Sequence, residues 1–142
     1  MILVLNILND KTGAWLIVRD SQVVFSHNFE ISRGEDQSLR HLQELLQDSK
    51  LSLKDLKCLI LLIKEASLTQ VKILTTMANT LAWQFAWPIV ADYYFKEASD
   101  KVLAKQIKKI STIKKFKAIS PQYQRQAEIT ISQKKFKYTI NK

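Results

Sequence analysis

The sequence predicts an α/β fold with a mixed five-stranded sheet and two main helices, on three observations. Two continuous apolar runs, residues 2–8 and 58–63, have the composition of strands that are buried on both faces. Two β-rich runs, residues 14–19 and 23–29, come between them. Residues 67–88 carry apolar side chains at helical spacing. An initial group of strands followed by alternating helices and strands indicates both antiparallel and parallel neighbours.

The first three strands are predicted to form an antiparallel meander. The first strand, residues 2–8, is interrupted only by Asn6, and residues 9–13 supply the turn that follows. The second and third strands, residues 14–19 and 23–29, are separated by the short polar link 20–22. A link of this length joins two adjacent antiparallel strands.

The first predicted helix covers residues 35–49. Glu35 and Asp36 open it, and acidic side chains are favoured at the positive N-terminus of a helix. Its apolar side chains recur at helical spacing and are Leu39, Leu42, Leu45 and Leu46. A connecting turn, residues 51–56, leads to the fourth strand, residues 58–63.

The second and longest predicted helix covers residues 67–88. Ser67 and Gln70 have the spacing of a capping box, which would satisfy two backbone N–H groups at the start of the helix, and Pro88 is expected to end it. One apolar stripe is predicted to lie on the sheet: Val71, Leu74, Ala78, Leu81, Ala82 and Phe85.

A short fifth strand, residues 89–91, and a weaker helix, residues 97–109, are predicted next. Residues 1–110 are therefore expected to form the main lobe. Residues 111–142 mix lysine with β-branched residues and are expected to form a basic C-terminal segment with one or two short strands.

The remaining faces of the second helix predict a protein-binding surface. Lys72 is the only charged residue in 67–88, whereas a solvated helix face is usually rich in charge. A membrane span is disfavoured because polar residues interrupt every long apolar run. The candidate partner-binding residues on this helix are Ile73, Thr76, Met77, Thr80, Trp83 and Gln84. If the first helix packs beside the second, it adds Ser38, His41 and Leu45.

The distribution of charge offers a second function of a different class, RNA binding. Residues 1–100 hold ten Lys/Arg and twelve Asp/Glu, whereas residues 101–142 hold twelve Lys/Arg and only Glu128, a net charge of +11. Such a segment can bind phosphates with release of counterions, or it can simply be solvated. The candidate nucleic-acid-binding residues are Lys108, Lys109, Lys114, Lys115, Lys117, Arg125, Lys134, Lys135 and Lys137.

Several kinds of chemical site are not expected. With only two glycines, the chain has no glycine-rich loop to hold a nucleotide phosphate. Cys58 is the single cysteine, and His27 and His41 are far apart in the sequence, so we expect no disulfide framework, no metal site and no cofactor. The N-terminus lacks the features of a signal peptide, and a cytoplasmic location is the expectation.

The order of elements is that of the ribonuclease H-like plan, which is doubled in actin-like ATPases. Enzymes of this plan need carboxylates on the first strand, on the first helix and after the fourth strand to hold metal ions. The first strand here carries Asn6, so Glu65 and the candidates on the first helix, Glu35 or Glu44, are more simply solvated charges. Asp10 and Gly13 follow the first strand, but Ile7 and Leu8 lie where a metal ion would bind. The sequence therefore predicts a protein that is not an enzyme.

The chain resembles the TsaB (YeaZ) family, the inactive partner in bacterial synthesis of threonylcarbamoyladenosine in tRNA. The resemblance rests on the opening strand and meander MILVLNILNDKTGAWLIVRDSQVV, on LSLKDLKCLILLIKEASLTQVKI and on TTMANTLAWQFAWPIV. Pro121, Tyr123 and Arg125 are similar to the C-terminal Pro-x-Tyr-x-Arg of the family.

The chain also departs from this family. The Asp-Thr-Ser of the family is Asn6-Ile7-Leu8 here, its glycine-rich loop is residues 64–70 without glycine, and too few residues separate Asp92 from Pro121 for its second lobe. The resemblance implies a non-catalytic subunit that pairs through its helices with a TsaD-like catalytic paralogue, or with a second copy. RNA binding by the basic segment remains the alternative, and the two are compatible.

Overall fold

The computed structural model of the chain describes residues 1–32, 37–94 and 97–123. Five strands form one sheet: β1 (Ile2–Ile7), β2 (Thr12–Arg19), β3 (Gln22–Glu30), β4 (Cys58–Ile63) and β5 (Ile89–Tyr93). In the described part of the chain, three α-helices accompany them: α1 (Ser38–Ser49), α2 (Leu68–Gln84) and α3 (Ser99–Ile110). A single 3₁₀ turn, Leu53–Asp55, precedes β4.

The sheet has the strand order β3-β2-β1-β4-β5. The first three strands pair antiparallel, whereas β1 with β4 and β4 with β5 pair parallel. The predicted meander and the mixed sheet are thus confirmed. The turn after β1 is shorter than expected, because Thr12 and Gly13 already pair with β3.

The two central strands, β1 and β4, contribute side chains to a hydrophobic cluster on each face of the sheet. In β1, Leu3, Leu5 and Ile7 pack into the hydrophobic cluster that includes α1 and α2, while Val4 packs into a second cluster on the other face. Alternate residues of β4 divide in the same way. Because successive side chains of a strand point to opposite faces, a continuous apolar run is what a strand with helices on both sides requires.

Helix α1 lies on the first face of the sheet. It is anchored there by Leu42 and Leu45, and its last turn is closed by Lys50 in the left-handed conformation at φ 56°. The predicted start of this helix, at residues 35 and 36, lies outside the described residues.

Helix α2 begins as predicted and ends earlier than predicted. Ser67 Oγ accepts from the Gln70 backbone N–H, and the Gln70 side chain accepts from the Ser67 N–H, which completes the capping box. The last helical residue is Gln84, before Pro88 is reached, and Ala86 has a φ of 54°. The left-handed conformation of Ala86 turns the chain so that Trp87 enters the core. The position of Pro88 in the sequence could not indicate this turn.

Helix α3 covers the second face of the sheet, so both faces carry helices. Val102 and Ile110 pack there against the side chains of β1, β4 and β5. The sequence correctly predicted a helix here but counted only two main helices.

Residues 111–123 form no regular element but remain attached to the main lobe. Ile113 packs on the α3 face, whereas Phe116 and Ile119 pack on the α2 face. The chain therefore passes around the β5 edge of the sheet. The strands expected near residues 128–140 lie outside the described residues.

Candidate protein-binding surface

The outer face of α2 carries most of the predicted partner-binding residues. The sheet-facing stripe is Val71, Leu74, Thr75, Ala78 and Ala82, all of them buried. Ile73, Thr80 and Gln84 repeat at helical spacing on the opposite side and are exposed. Thr76 and Trp83 are also exposed. The predicted stripe is corrected at its end, because Phe85 is exposed and Leu81 is only half-buried.

The outer face of α2 exposes uncharged side chains, two of them large and apolar. The exposed fraction is 44% for Ile73 and 66% for Trp83, so two large apolar side chains face solvent. The Thr80 hydroxyl donates to the Thr76 carbonyl oxygen at 2.8 Å, so this hydroxyl already has a hydrogen-bond partner within the helix. Thr76 and Thr80 are small side chains between Ile73 and Trp83. Met77 is half-buried and packs against the core. We call Ile73, Thr76, Thr80, Trp83 and Gln84 the α2 outer face.

The contribution expected from α1 is corrected. Ser38 and Leu45 are buried inside this chain, and the exposed fraction of Leu45 is only 2%. Both positions lie on the same side of the helix as Leu42, which faces the sheet, so neither offers a surface to a partner. Trp15 Nε1 donates to the Ser38 carbonyl oxygen at 2.8 Å. His41 is half-buried and stacks on Phe29 of β3, with 4.7 Å between ring centroids.

The position predicted to lack a catalytic carboxylate is occupied by a structural hydrogen-bond network. The Tyr94 hydroxyl donates to Asn6 Oδ1 at 2.7 Å, and Ser99 Oγ lies 2.9 Å from the same hydroxyl. Burial raises the pKa of Tyr94 above its ordinary value, although its hydrogen bonds to Ser99 and Asn6 act in the opposite direction. Asn6 thus connects β1 to the start of α3.

The other residues considered for catalysis are exposed side chains or, in the case of Cys58, poorly reactive. Glu65 and Asp10 are exposed, and the Asp10 backbone carbonyl accepts from Gln70 Nε2 at 3.1 Å. Cys58 is half-buried at the start of β4, and desolvation by burial raises the pKa of its thiol. A raised pKa disfavours the thiolate, which is the nucleophilic form of cysteine.

One cluster was missed by the sequence analysis. His27 and His41 are far apart in the sequence, but His27 Nε2 and His41 Nδ1 lie 3.1 Å apart. The carboxylate of Glu44 lies beside both rings. The spacing of His41 and Glu44 placed these two on one side of a helix, but nothing local indicated that β3 would bring His27 to them.

The described part of the basic C-terminal region is exposed to solvent. Lys108, Lys109, Lys114, Lys115 and Lys117 all have exposed side chains. The other predicted nucleic-acid-binding residues, Arg125, Lys134, Lys135 and Lys137, lie outside the described residues. In the described ranges, none of the helices has the length and apolar content needed to cross a bilayer.

Comparison with known proteins gives a likeness in fold. No family model matches the chain. No curated protein matches it either. The structure of YeaZ from Pseudomonas aeruginosa resembles it with a TM-score of 0.55 and 19% sequence identity, over 65% of this chain and 43% of that chain.

A second solved structure gives the same result. Its title describes an uncharacterized protein with similarity to peptidase YEAZ from Pseudomonas aeruginosa, and it matches with a TM-score of 0.56 and 18% identity, over 65% of this chain and 42% of that one. The present chain thus spans less than half of either structure. The similarity to YeaZ (TsaB) inferred from the sequence is confirmed at the level of fold, which is an actin-like, ribonuclease H-like α/β fold.

Proposed function

We propose that this chain is a non-catalytic, TsaB-like binding subunit that pairs through the α2 outer face with a TsaD-like catalytic paralogue, or with a second copy, in the modification of tRNA to threonylcarbamoyladenosine. The observation that carries the proposal is the exposure of an uncharged helix face with two large apolar side chains, Ile73 and Trp83. Solvent-facing helix surfaces are normally charged, whereas none of the five side chains of the α2 outer face carries a charge.

The side-chain sizes on this face suit packing against other helices. Thr76 and Thr80 are small and lie near the middle of α2, between the larger Ile73 and Trp83. Small residues let two helix axes approach to about 8–10 Å, and larger flanking side chains then fill the grooves. Because Ser38 and Leu45 are buried, the proposed contact is confined mainly to α2, and α1 packs on the same face of the sheet.

The absence of catalysis is part of the proposal. Asn6 holds Tyr94 where a metal-dependent enzyme of this fold needs a carboxylate, and Glu65 and Asp10 are exposed side chains. We expect the purified chain to show no magnesium-dependent ATP hydrolysis. ATP turnover that disappears in the Asp10→Asn or Glu65→Gln variant would contradict this expectation.

Charge substitutions on α2 test the interface. Thr80→Glu places a carboxylate at the centre of the outer face, where a partner would bury it without a counter-charge. We expect association to weaken by about 3 kcal/mol or more, more than 100-fold in Kd. Thr80 is preferred to Met77 because Met77 packs partly into the core, and its substitution would also change the stability of the fold.

The matched control is Ala104→Glu. It adds the same charge at an exposed helical position on α3, on the opposite face of the sheet. Sedimentation equilibrium of each variant, alone and with the TsaD-like protein of the same organism, gives the affinities, and circular dichroism checks the fold. Thr80→Glu protein that associates as tightly as the wild type would refute this interface.

A second candidate function, RNA binding, is favoured by the five exposed lysines Lys108, Lys109, Lys114, Lys115 and Lys117. If all five contact phosphate, the logarithm of tRNA affinity should fall by about 3.5 to 4.5 for each logarithm of salt concentration. Replacing the last three lysines by glutamine should reduce that slope by about 2 to 3. Affinity that does not depend on salt would argue against this candidate.

A further inference from the structure

A compact group of two histidines and one glutamate joins the edge strand β3 to α1. His27 Nε2 and His41 Nδ1 are separated by 3.1 Å. Glu44 Oε2 lies 3.2 Å from His27 Nε2 and 3.3 Å from His41 Nδ1. The three atoms therefore form a nearly equilateral triangle, although they come from two elements that are separate in the sequence.

Hydrogen bonds can join at most two of the three pairs of atoms in this triangle at one time. A neutral imidazole has one nitrogen that donates and one that accepts, and an ionised carboxylate only accepts. If both facing nitrogens carry hydrogen, both can donate to Glu44 Oε2, and the two donors then stand 3.1 Å apart without a bond between them. If only one carries hydrogen, the other nitrogen and the carboxylate oxygen are left facing each other as acceptors. A cation at the centre would be attracted by all three atoms at once.

The dimensions of the triangle fit a small divalent transition-metal ion. Zinc binds imidazole nitrogen at about 2.0–2.1 Å and carboxylate oxygen at about 2.0–2.2 Å, usually with tetrahedral geometry. Such bonds place neighbouring ligand atoms about 3.3–3.4 Å apart. The observed separations of 3.1, 3.2 and 3.3 Å need to open by only a few tenths of an ångström.

The surroundings hold the ligands in this arrangement. Phe29 stacks on the His41 ring with 9° between the ring planes. Arg40 Nε contacts the other carboxylate oxygen, Glu44 Oε1, at 3.5 Å, so Oε2 is directed to the histidines. Because the Arg40 side chain is 69% exposed, water and salt screen its repulsion of a metal ion. The His27 and His41 side chains are 21% and 20% exposed, which leaves one side of the site accessible.

We propose that His27, His41 and Glu44 bind a divalent transition-metal ion, with zinc as the ion that best matches two imidazoles and one carboxylate. Solvent supplies the fourth ligand. The ion connects β3, at the edge of the sheet, to α1 and thereby stabilises the folded chain by mass action. This site lies on β3 and α1, apart from the α2 outer face, so the proposal does not depend on the protein-binding role.

The test is titration of the metal-free full-length chain with Zn²⁺ by calorimetry and with Co²⁺ by visible absorption. We expect one saturable site for each chain, a Co²⁺ spectrum of low coordination number and a rise in melting temperature with Zn²⁺. His41→Phe keeps an aromatic ring for Phe29, and Glu44→Gln keeps the side-chain shape. Each should weaken binding by more than about 100-fold, since loss of even an outer-shell partner costs about 10- to 100-fold.

Arg40→Gln is the matched control, because it changes a neighbouring charge and removes no ligand. It should bind Zn²⁺ within a few-fold of the wild type, and circular dichroism should show that all variants fold. Wild-type protein without a saturable site at micromolar Zn²⁺ would overturn the proposal. Binding that survives unchanged in both His41→Phe and Glu44→Gln would equally overturn it, because the ion would then be held elsewhere.

Discussion

The attachment of residues 111–123 to the main lobe depends on the side chain of Asn79. Asn79 Nδ2 donates to the Ile119 carbonyl oxygen, and the Ile119 N–H donates to Asn79 Oδ1, both at 2.9 Å. The side-chain amide of Asn79 thus satisfies both the backbone N–H and the backbone carbonyl of Ile119, as a residue of a paired β-strand does. The Tyr93 hydroxyl adds a bond to the Ser120 carbonyl oxygen at 3.1 Å.

Asn79→Ala removes both amide bonds at once. A protein hydrogen bond contributes about 1 kcal/mol net, so the two together stabilise the docked segment by about 2 kcal/mol. The cost is not larger, because the site is only part-buried and water can reach the Ile119 backbone once the segment opens. A change of 2 kcal/mol corresponds to about a 30-fold rise in the equilibrium constant for opening. Asn79→Asp keeps one acceptor and should give a smaller effect.

Amide hydrogen exchange at Ile119 reports the loss of these two bonds. In Asn79→Ala the segment opens more often and the docked Ile119 N–H has also lost its acceptor, so its exchange should accelerate by at least about 30-fold, whereas the central strand β4 should keep most of its protection. Gln84→Ala, at an exposed position on the same helix, is the control and should leave Ile119 unchanged. If Ile119 exchanges at the wild-type rate in Asn79→Ala, the two bonds do not hold the segment and the reasoning fails.

Three further predictions follow from burial. Leu74→Glu puts a charge into the core beneath α2 and should cost more than about 4 kcal/mol, so circular dichroism should show an unfolded chain; a folded variant would contradict the assigned core face. The Cys58 thiol, whose pKa is raised by burial, should be alkylated more slowly in the native chain than in urea, and equal rates would disprove its protection. The raised pKa of Tyr94 means that the unfolded chain loses this proton first, so the free energy of unfolding should decline above about pH 10, and less steeply in Tyr94→Phe.

The elements with strong local signals were predicted closely. The fourth strand was expected at residues 58–63 and is observed as Cys58–Ile63, because an unbroken apolar run suits only a strand buried on both faces. The start of α2 was also confirmed, since Ser67 and Gln70 satisfy the first backbone N–H groups without help from the rest of the chain.

The end of α2 shows where local reasoning fails. Pro88 was expected to end the helix, but the last helical residue is Gln84, and Ala86 in the left-handed conformation turns the chain so that Trp87 enters the core. Ser38 was expected on a partner-binding surface, but its side of α1 packs on the sheet. A helical pattern shows which residues share a face, but it does not show what lies opposite that face.

The sequence by itself determined the class of fold, the order of the elements and the uncharged character of the α2 outer face, because each depends on residue type and spacing within one segment. Only the tertiary structure decided which distant segments meet. It brought His27 of β3 to His41 and Glu44 of α1, and it paired Asn79 with Ile119. Such contacts depend on how the helices pack on the twisted sheet, and no local periodicity encodes that geometry.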